Sequence, residues 1–186
     1  MSRICISKSS NIWSVDLIHR QISPIPEFHH SGIFLYTTRM EKISTFKELQ
    51  KIISQYSGSI LFIPTKSEVD YNDLSFPLKL PKDNFIIPKY KNSNPFELAD
   101  NCIAKFKNGT VCVLIPGTKF DVYGTRYGKG AGWYDRFLSK LPSNWLRIGI
   151  IDKSKFSNSE LVRQEWDEPV NWVIVRYNTS WKVYKV

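Results

Sequence analysis

The sequence is poor in the residues that build metal clusters and disulfide frameworks. It has three cysteines and three histidines in 186 residues. Cys5, Cys102 and Cys112 are an odd number at spacings that match no metal-ligand pattern. This points to a reduced, cytosol-like compartment, and Cys112, inside an apolar run, reads as a small buried hydrophobe. His29 and His30 are adjacent. Side chains alternate along a strand, so the two cannot face one site there, and no third ligand stands nearby. The chain also lacks any apolar run near the roughly 18 residues of a membrane span. Its first residues, MSRICISKSSNIW, lack the apolar core of a secretory leader. No repeat or low-complexity tract stands out. No run of about five like charges occurs; lysines and arginines are spread along the chain, the pattern of a solvated surface.

What is present is ordinary globular composition with a strong basic bias. Hydrophobic residues make up 42% and net charge is +9, enough apolar side chain for a core and a charge that favours anionic partners such as nucleotides, polyglutamylated cofactors or nucleic acid. The length fits one α/β domain over 1–186, with residues 1–40 a segment of unclear role. Within that segment, Arg3–Ile6 and Ile33–Thr37 could form short strands around the breaker Ser23-Pro-Ile-Pro26. A helix begins at Ser44 or Thr45, with Phe46, Leu49, Ile52 and Ile53 as its apolar stripe and Ser57-Gly58 beyond it. Ser59–Ile63 then reads as a buried strand stopped by Pro64. Four prolines break up 71–108, where Phe85–Ile87 is a short strand. A helix over Phe96–Phe106 has Asn94 as its N-cap and Phe96, Ala99, Cys102, Ile103 and Phe106 on one face. Strands follow at Val111–Ile115 and Leu146–Ile151, and a short helix at Asn158–Gln164. Trp172–Tyr177 and Trp181–Val186 read as a hairpin around Asn178–Ser180. Alternating strands and helices predict a three-layer α/β/α arrangement, with a mostly parallel central sheet and a C-terminal β-hairpin.

The chemistry concentrates in Val111–Leu141, VCVLIPGTKFDVYGTRYGKGAGWYDRFLSKL. An apolar strand ends at Pro116-Gly117, and a helix with Tyr134, Phe137, Leu138 and Leu141 at i, i+3, i+4 and i+7 closes the stretch. Between them Gly128, Gly130 and Gly132 alternate, with Lys129 among them, Arg126 before and Asp135 after. A glycine loop running into a helix N-terminus lets backbone N–H groups approach an anion. Arg126 and Lys129 add cationic charge, and Asp135 could hold a divalent ion that bridges phosphate oxygens. The plainer reading is a turn whose Asp135 complements the helix dipole. The string matches neither GxxxxGK[ST] nor GxGxxG.

Pro116-Gly117, Phe120-Asp121 and Arg126-Tyr-Gly-Lys-Gly-Ala-Gly-Trp-Tyr-Asp-Arg136 resemble the 5-formyltetrahydrofolate cyclo-ligase family, whose pattern is PG, FD and RxGxGxGYYDR. Trp133 replaces the first tyrosine. Pro64-Thr-Lys-Ser-Glu-Val-Asp70 resembles the family's PxxxEVD. The likeness runs over about residues 44–186. It implies an ATP- and magnesium-dependent ring closure of 5-formyltetrahydrofolate to 5,10-methenyltetrahydrofolate in the cytoplasm. It further implies that Arg126 and Lys129 neutralise phosphate charge and that Arg126, Tyr127, Gly128, Lys129, Gly130, Ala131, Gly132, Trp133 and Tyr134 contact ATP. Folate contacts fall on Ile63, Glu68, Lys129, Gly130, Ala131, Gly132 and Trp133. Trp133 and Tyr134 would pack on substrate or nucleotide, although Tyr134 reads equally well as a core contact of its helix.

The chain departs from the family in four places. The family's HD-xxx-D becomes Trp166-Asp167-Glu-Pro-Val-Asn171, so the metal set is Asp135 with Asn171, or with Asp167 or Glu168 in its stead. The basic N-terminal helix of the family is not identifiable, and 71–108 is short. A non-catalytic or repurposed relative that binds folate or nucleotide is therefore the second reading. A basic nucleic-acid or interaction module that keeps only the fold is the third. Oligomeric state is not legible.

Overall fold

The computed structural model describes residues 25–27, 35–37, 43–73, 76–88, 93–107 and 109–186. The chain divides into two compact units, Met1–Met40 and Glu41–Val186. In the first, β1 (Ile25–Glu27) pairs antiparallel with β2 (Leu35–Thr37). Pro26 therefore lies within a strand rather than breaking the chain, which a two-stranded ladder tolerates because each strand is an edge. Arg3–Ile6, Cys5 and the His29-His30 pair lie outside the described residues.

The second unit carries a seven-stranded sheet. Its strands are β3 (Ile43–Ser44), β4 (Gly58–Phe62), β5 (Asp83–Ile87), β6 (Val111–Pro116), β9 (Leu146–Asp152), β11 (Trp172–Arg176) and β12 (Trp181–Lys185). They lie in the order β3-β12-β11-β9-β6-β4-β5. The five strands from β5 to β11 are parallel, while β12 and β3 pair antiparallel at the far edge. A three-stranded ribbon of β7 (Lys119–Asp121), β8 (Arg126–Tyr127) and β10 (Phe156–Ser157) forms a second sheet, with β7 central. β11 and β12 are the expected hairpin.

Helices α1 and α2 start where side chains can hold the free amides. Thr45 Oγ1 accepts from the Glu48 amide at 3.1 Å to cap α1 (Phe46–Ile53), and Asn94 Oδ1 accepts from the Phe96 amide at 3.0 Å to cap α2 (Pro95–Phe106); α3 is Trp133–Lys140. The apolar side chains sort into two clusters, because alternate residues of a strand face opposite sides of the sheet. α1 contributes Leu49 and Ile53 to the cluster holding Cys112, Leu114, Ile148 and Ile174, whereas α2 and α3 share the other with Val113, Ile115, Val173 and Val175. This is the predicted three-layer arrangement. Burial pushes the thiols of Cys102 and Cys112 up to about 12, so both stay protonated core residues.

Two expectations fail for physical reasons. The spacing predicts Phe96 on the buried face of α2, but Leu98 takes that position and Phe96 is 43% exposed. Asn158–Gln164 is not a helix: the chain makes a 3-10 turn at Lys153–Lys155, pairs β10 with β7, and then runs without regular structure. The helical pattern there is weak, and the Leu161 amide, in the middle of the stretch, donates to Asp121 Oδ2 at 2.7 Å instead of to a helical carbonyl.

Gly149 lies where β9 passes beneath the fully buried Phe120. A Cβ at Gly149 would stand 2.5 Å from Phe120 Cε1. Gly149→Ala should therefore lower unfolding stability by about 1–3 kcal/mol through overpacking, and urea denaturation with an unchanged m-value would report it.

Candidate nucleotide-binding site

The parallel strands β4, β6 and β9 end on one edge of the sheet, where ligands of open α/β sheets bind. After β6 the chain turns at Gly117, descends as β7, returns as β8 and enters the glycine loop. Asp121 fixes this excursion. Fully buried, its Oδ1 accepts from the Tyr123 amide at 2.9 Å and the Thr125 amide at 2.8 Å, and its Oδ2 from the Leu161 amide at 2.7 Å. Sequence reasoning gave Asp121 no role. The signal for it is the string Asp121-Val-Tyr-Gly-Thr125, an aspartate placed to accept from the amide two residues on in a side-chain turn.

The loop itself is open. Gly130 and Gly132 have φ of 84° and 57°, backbone that favours glycine, and a Cβ at Gly130 would meet nothing within 4 Å. Gly128 is glycine for a different reason: a Cβ there would come within 2.9 Å of Arg126 Nη1. Gly132 is the N-cap of α3 and offers no side-chain cap, leaving the first-turn amides to an anion or to water.

Arg126 and Asp135 face each other instead of the loop's mouth. Arg126 Nη2 donates to both Asp135 oxygens at 2.8 Å, with side chains 3% and 14% exposed. The guanidinium also lies 5.4 Å from the Tyr134 ring centre, and its Nε has no hydrogen-bond partner among the described residues. Lys129 stays in solvent. Its side chain is 54% exposed, and its ammonium is 3.8 Å from Glu68 Oε1. Glu68 is held in turn by the Thr65 amide, which donates to Oε2 at 2.9 Å. The loop after β4 and the glycine loop thus meet through Glu68 and Lys129, two residues singled out from sequence. Ile63, the residue after β4, is 42% exposed.

The rings of Trp133 and Tyr134 do not line the opening. Each is 5% exposed. Trp133 stacks on Phe137 at 5.3 Å, and its indole N–H donates to the Ser93 carbonyl at 3.0 Å. In this structure both are the first core residues of α3, the alternative already open for Tyr134, and their backbone lies at the loop. Burial first, and the Glu68 carboxylate second, push the Tyr134 phenol upward, so it stays protonated.

The carboxylates around Asp135 also have protein partners. Arg147 Nη1 donates to Glu168 Oε2 at 2.6 Å, the Glu168 amide donates to Asp135 Oδ1 at 3.5 Å, and the Gln164 amide donates to Asp167 Oδ2 at 2.8 Å. Asn171 Oδ1 accepts from the Arg147 amide at 2.8 Å, which fastens it to the start of β9. Among the described residues no three His, Cys, Asp or Glu side chains gather to hold a metal. Asp135 retains unused lone pairs, and its donor chemistry fits an ion that arrives with phosphates, since magnesium takes one or two carboxylates and completes its shell elsewhere.

Removing one partner of a buried ion pair strands the other charge. Asp135→Ala should lower stability by about 3 kcal/mol, and the double change Arg126→Met with Asp135→Leu should regain much of that loss. Chemical denaturation of the three proteins checks both. A single variant as stable as the parent would show that the pair contributes nothing.

Three comparisons bear on this geometry. The model of the 5-formyltetrahydrofolate cyclo-ligase family matches residues 3–176, so the likeness reaches well into the first forty residues. A Mycoplasma pneumoniae protein described as 5-formyltetrahydrofolate cyclo-ligase is 29% identical over 116 residues, covering 61% of this chain and 70% of that one. A Mycoplasma genitalium protein of the same description is 32% identical over 117 residues, covering 61% and 69%. Among solved structures, a 5,10-methenyltetrahydrofolate synthetase from Mycoplasma pneumoniae aligns with a TM-score of 0.45 and 18% identity over 69% of this chain and 79% of that one. Its counterpart from Aquifex aeolicus aligns at 0.44 and 19% over 70% and 72%. The family model spans the glycine loop, the Glu68 loop and the strands that carry them, and this chain belongs to the 5-formyltetrahydrofolate cyclo-ligase family.

Proposed function

We propose that this protein closes 5-formyltetrahydrofolate to 5,10-methenyltetrahydrofolate with ATP and magnesium, in the cytoplasm. The observation that supports this most is the pairing of Lys129 with Glu68, which joins the loop suited to phosphate with the loop that the family uses for folate. In this reading the formyl oxygen attacks the γ-phosphorus and ADP leaves. N10 then attacks the activated formyl carbon, the carbon–oxygen bond breaks, phosphate departs and N10 gives up its proton. Such chemistry needs placement and charge neutralisation more than a protein nucleophile.

The residues divide these tasks. The amides from Gly128 to the first turn of α3 take phosphate oxygens. Lys129 supplies the mobile positive charge, and on binding ATP it exchanges Glu68 for phosphate. Glu68, released on one side but still held by Thr65, orients the folate, with Ile63 as an apolar neighbour. Asp135 would hold the magnesium ion, whose contribution is to neutralise phosphate charge. Arg126 acts at one remove: it orients Asp135 and carries the start of the loop.

Binding without turnover is the second reading. It is favoured by the inward orientation of Arg126, which leaves the exposed Lys129, and Arg136 beside Gly132, as the cations at the cradle. The deciding assay mixes the purified protein with 5-formyltetrahydrofolate, magnesium and ATP and follows absorbance of the methenyl product against an ATP-free control. ATP-dependent product is the expected result; nucleotide binding by calorimetry without product would establish the second reading instead. Lys129→Ala should weaken ATP binding roughly tenfold, the scale of one charge-assisted contact. The fold should be unaffected, because the side chain is more than half exposed. Unchanged ATP affinity with a lowered melting temperature would remove Lys129 from the site.

A further inference from the structure

The segment between β10 and β11 carries the most exposed indole among the described residues. Trp166 is 71% exposed, whereas Trp133, Trp145 and Trp172 are each at most 5% exposed. Its backbone is nonetheless fixed. Trp166 stands in a turn closed by two bonds, from the Asp167 amide to the Gln164 carbonyl at 3.1 Å and from the Gln164 amide to Asp167 Oδ2 at 2.8 Å. An isolated surface aromatic needs no explanation. What sets this one apart is where the segment is fastened.

It is pinned on both sides of Trp166 to the glycine-loop motif itself. Upstream, the Tyr127 hydroxyl donates to the Val162 carbonyl at 3.0 Å. Downstream, the Glu168 amide donates to Asp135 Oδ1 at 3.5 Å, and Arg147 holds the Glu168 carboxylate at 2.6 Å. Tyr127 precedes the first glycine of the run and Asp135 follows the last. The turn bearing the indole is therefore strung between the two ends of the cradle. Trp166 lies two residues from Glu168, within about 7 Å of chain. The turn that bears the aromatic is thereby held between these two anchor points.

We propose that Trp166 is a nucleobase-binding residue: its indole stacks on the base of a nucleotide whose phosphates occupy the amides of Gly128–Gly132. This rests on the nucleotide-binding reading above. Glu68, the folate-side residue, meets the cradle through Lys129, while the Trp166 segment meets it through Tyr127 and Asp135. A ligand with phosphates in the loop and a flat ring at Trp166 is a nucleotide. Stacking uses the π-face that every base has, so selection by this residue follows ring size rather than hydrogen-bond pattern.

Intrinsic fluorescence of the full chain tests the assignment, with ADP and inorganic tripolyphosphate as probes. ADP should quench the red-shifted emission of the exposed indole, and tripolyphosphate should compete with ADP without quenching. Trp166→Leu should weaken ADP about tenfold, the scale of one stacked base, leave tripolyphosphate affinity unchanged, and remove the quench. Trp166→Phe should recover most of the ADP affinity, and a pyrimidine diphosphate should bind more weakly than ADP only when the indole is present. If ADP binds the parent and the Leu variant equally, the stacking assignment is overturned while the cradle reading stands. If neither ADP nor tripolyphosphate binds the parent, the cradle reading falls and the stacking falls with it.

Discussion

The site depends on one buried ion pair. Arg126 leaves β8 immediately before the glycine run, and Asp135 lies in the first turn of α3 immediately after it; their contact at 2.8 Å closes the intervening loop. Glycine-rich backbone has many conformations to lose, and a cradle useful to an anion must hold its amides in one of them before the ligand arrives. The pair supplies that constraint from below while the loop remains open above, where a Cβ at Gly130 would meet nothing. It also explains why Arg126 is not at the mouth. A guanidinium 3% exposed needs a carboxylate as partner, and Asp135 is within reach.

A second pair carries the constraint outward. Arg147, near the start of β9, holds Glu168 through Nη1 and the Leu138 carbonyl of α3 through Nη2 at 2.9 Å. Its backbone amide holds Asn171. One arginine thus joins the sheet, the helix that begins at the cradle and the segment bearing Trp166. Asn171, whose Oδ1 accepts from the Arg147 amide at 2.8 Å, serves this junction with a neutral side chain. An amide oxygen can accept the Arg147 N–H without adding a charge to the residue whose guanidinium already holds Glu168.

Much of this architecture was legible because it rests on local chemistry. Thr45 and Asn94 announce their helices as caps, and the continuous apolar run at Val111 has no stable place except the middle of a sheet covered on both faces. The cradle could be read from Gly128, Gly130 and Gly132 with their flanking charges. What could not be read depended on partners distant in sequence. Strands β7, β8 and β10 are two or three residues long, too short for periodicity, and exist because they pair with one another. Leu98 displaced Phe96 from the face of α2 through packing that no single-helix pattern contains. Arg126 and Asp135 were both singled out as ligand-facing, because spacing along the chain does not reveal that two charged groups nine residues apart have turned toward each other.

That last point bears on how the two cations divide the work. A cation that preorganises a loop must be buried and permanently paired; one that meets an incoming phosphate must be solvated and cheaply released. Arginine suits the first task, because its planar fork holds a carboxylate and it does not lose its proton. Lysine suits the second, because its ammonium is a mobile point charge, and the contact of the half-exposed Lys129 side chain with Glu68 is long, at 3.8 Å. An interchange of the two would place a hydrated ammonium beneath the loop and a rigid fork above it, and neither would do its neighbour's task. The alternation of glycines leaves room for both. Gly128 stays clear of the guanidinium below, and Gly130 keeps the backbone beside Lys129 open to whatever anion arrives.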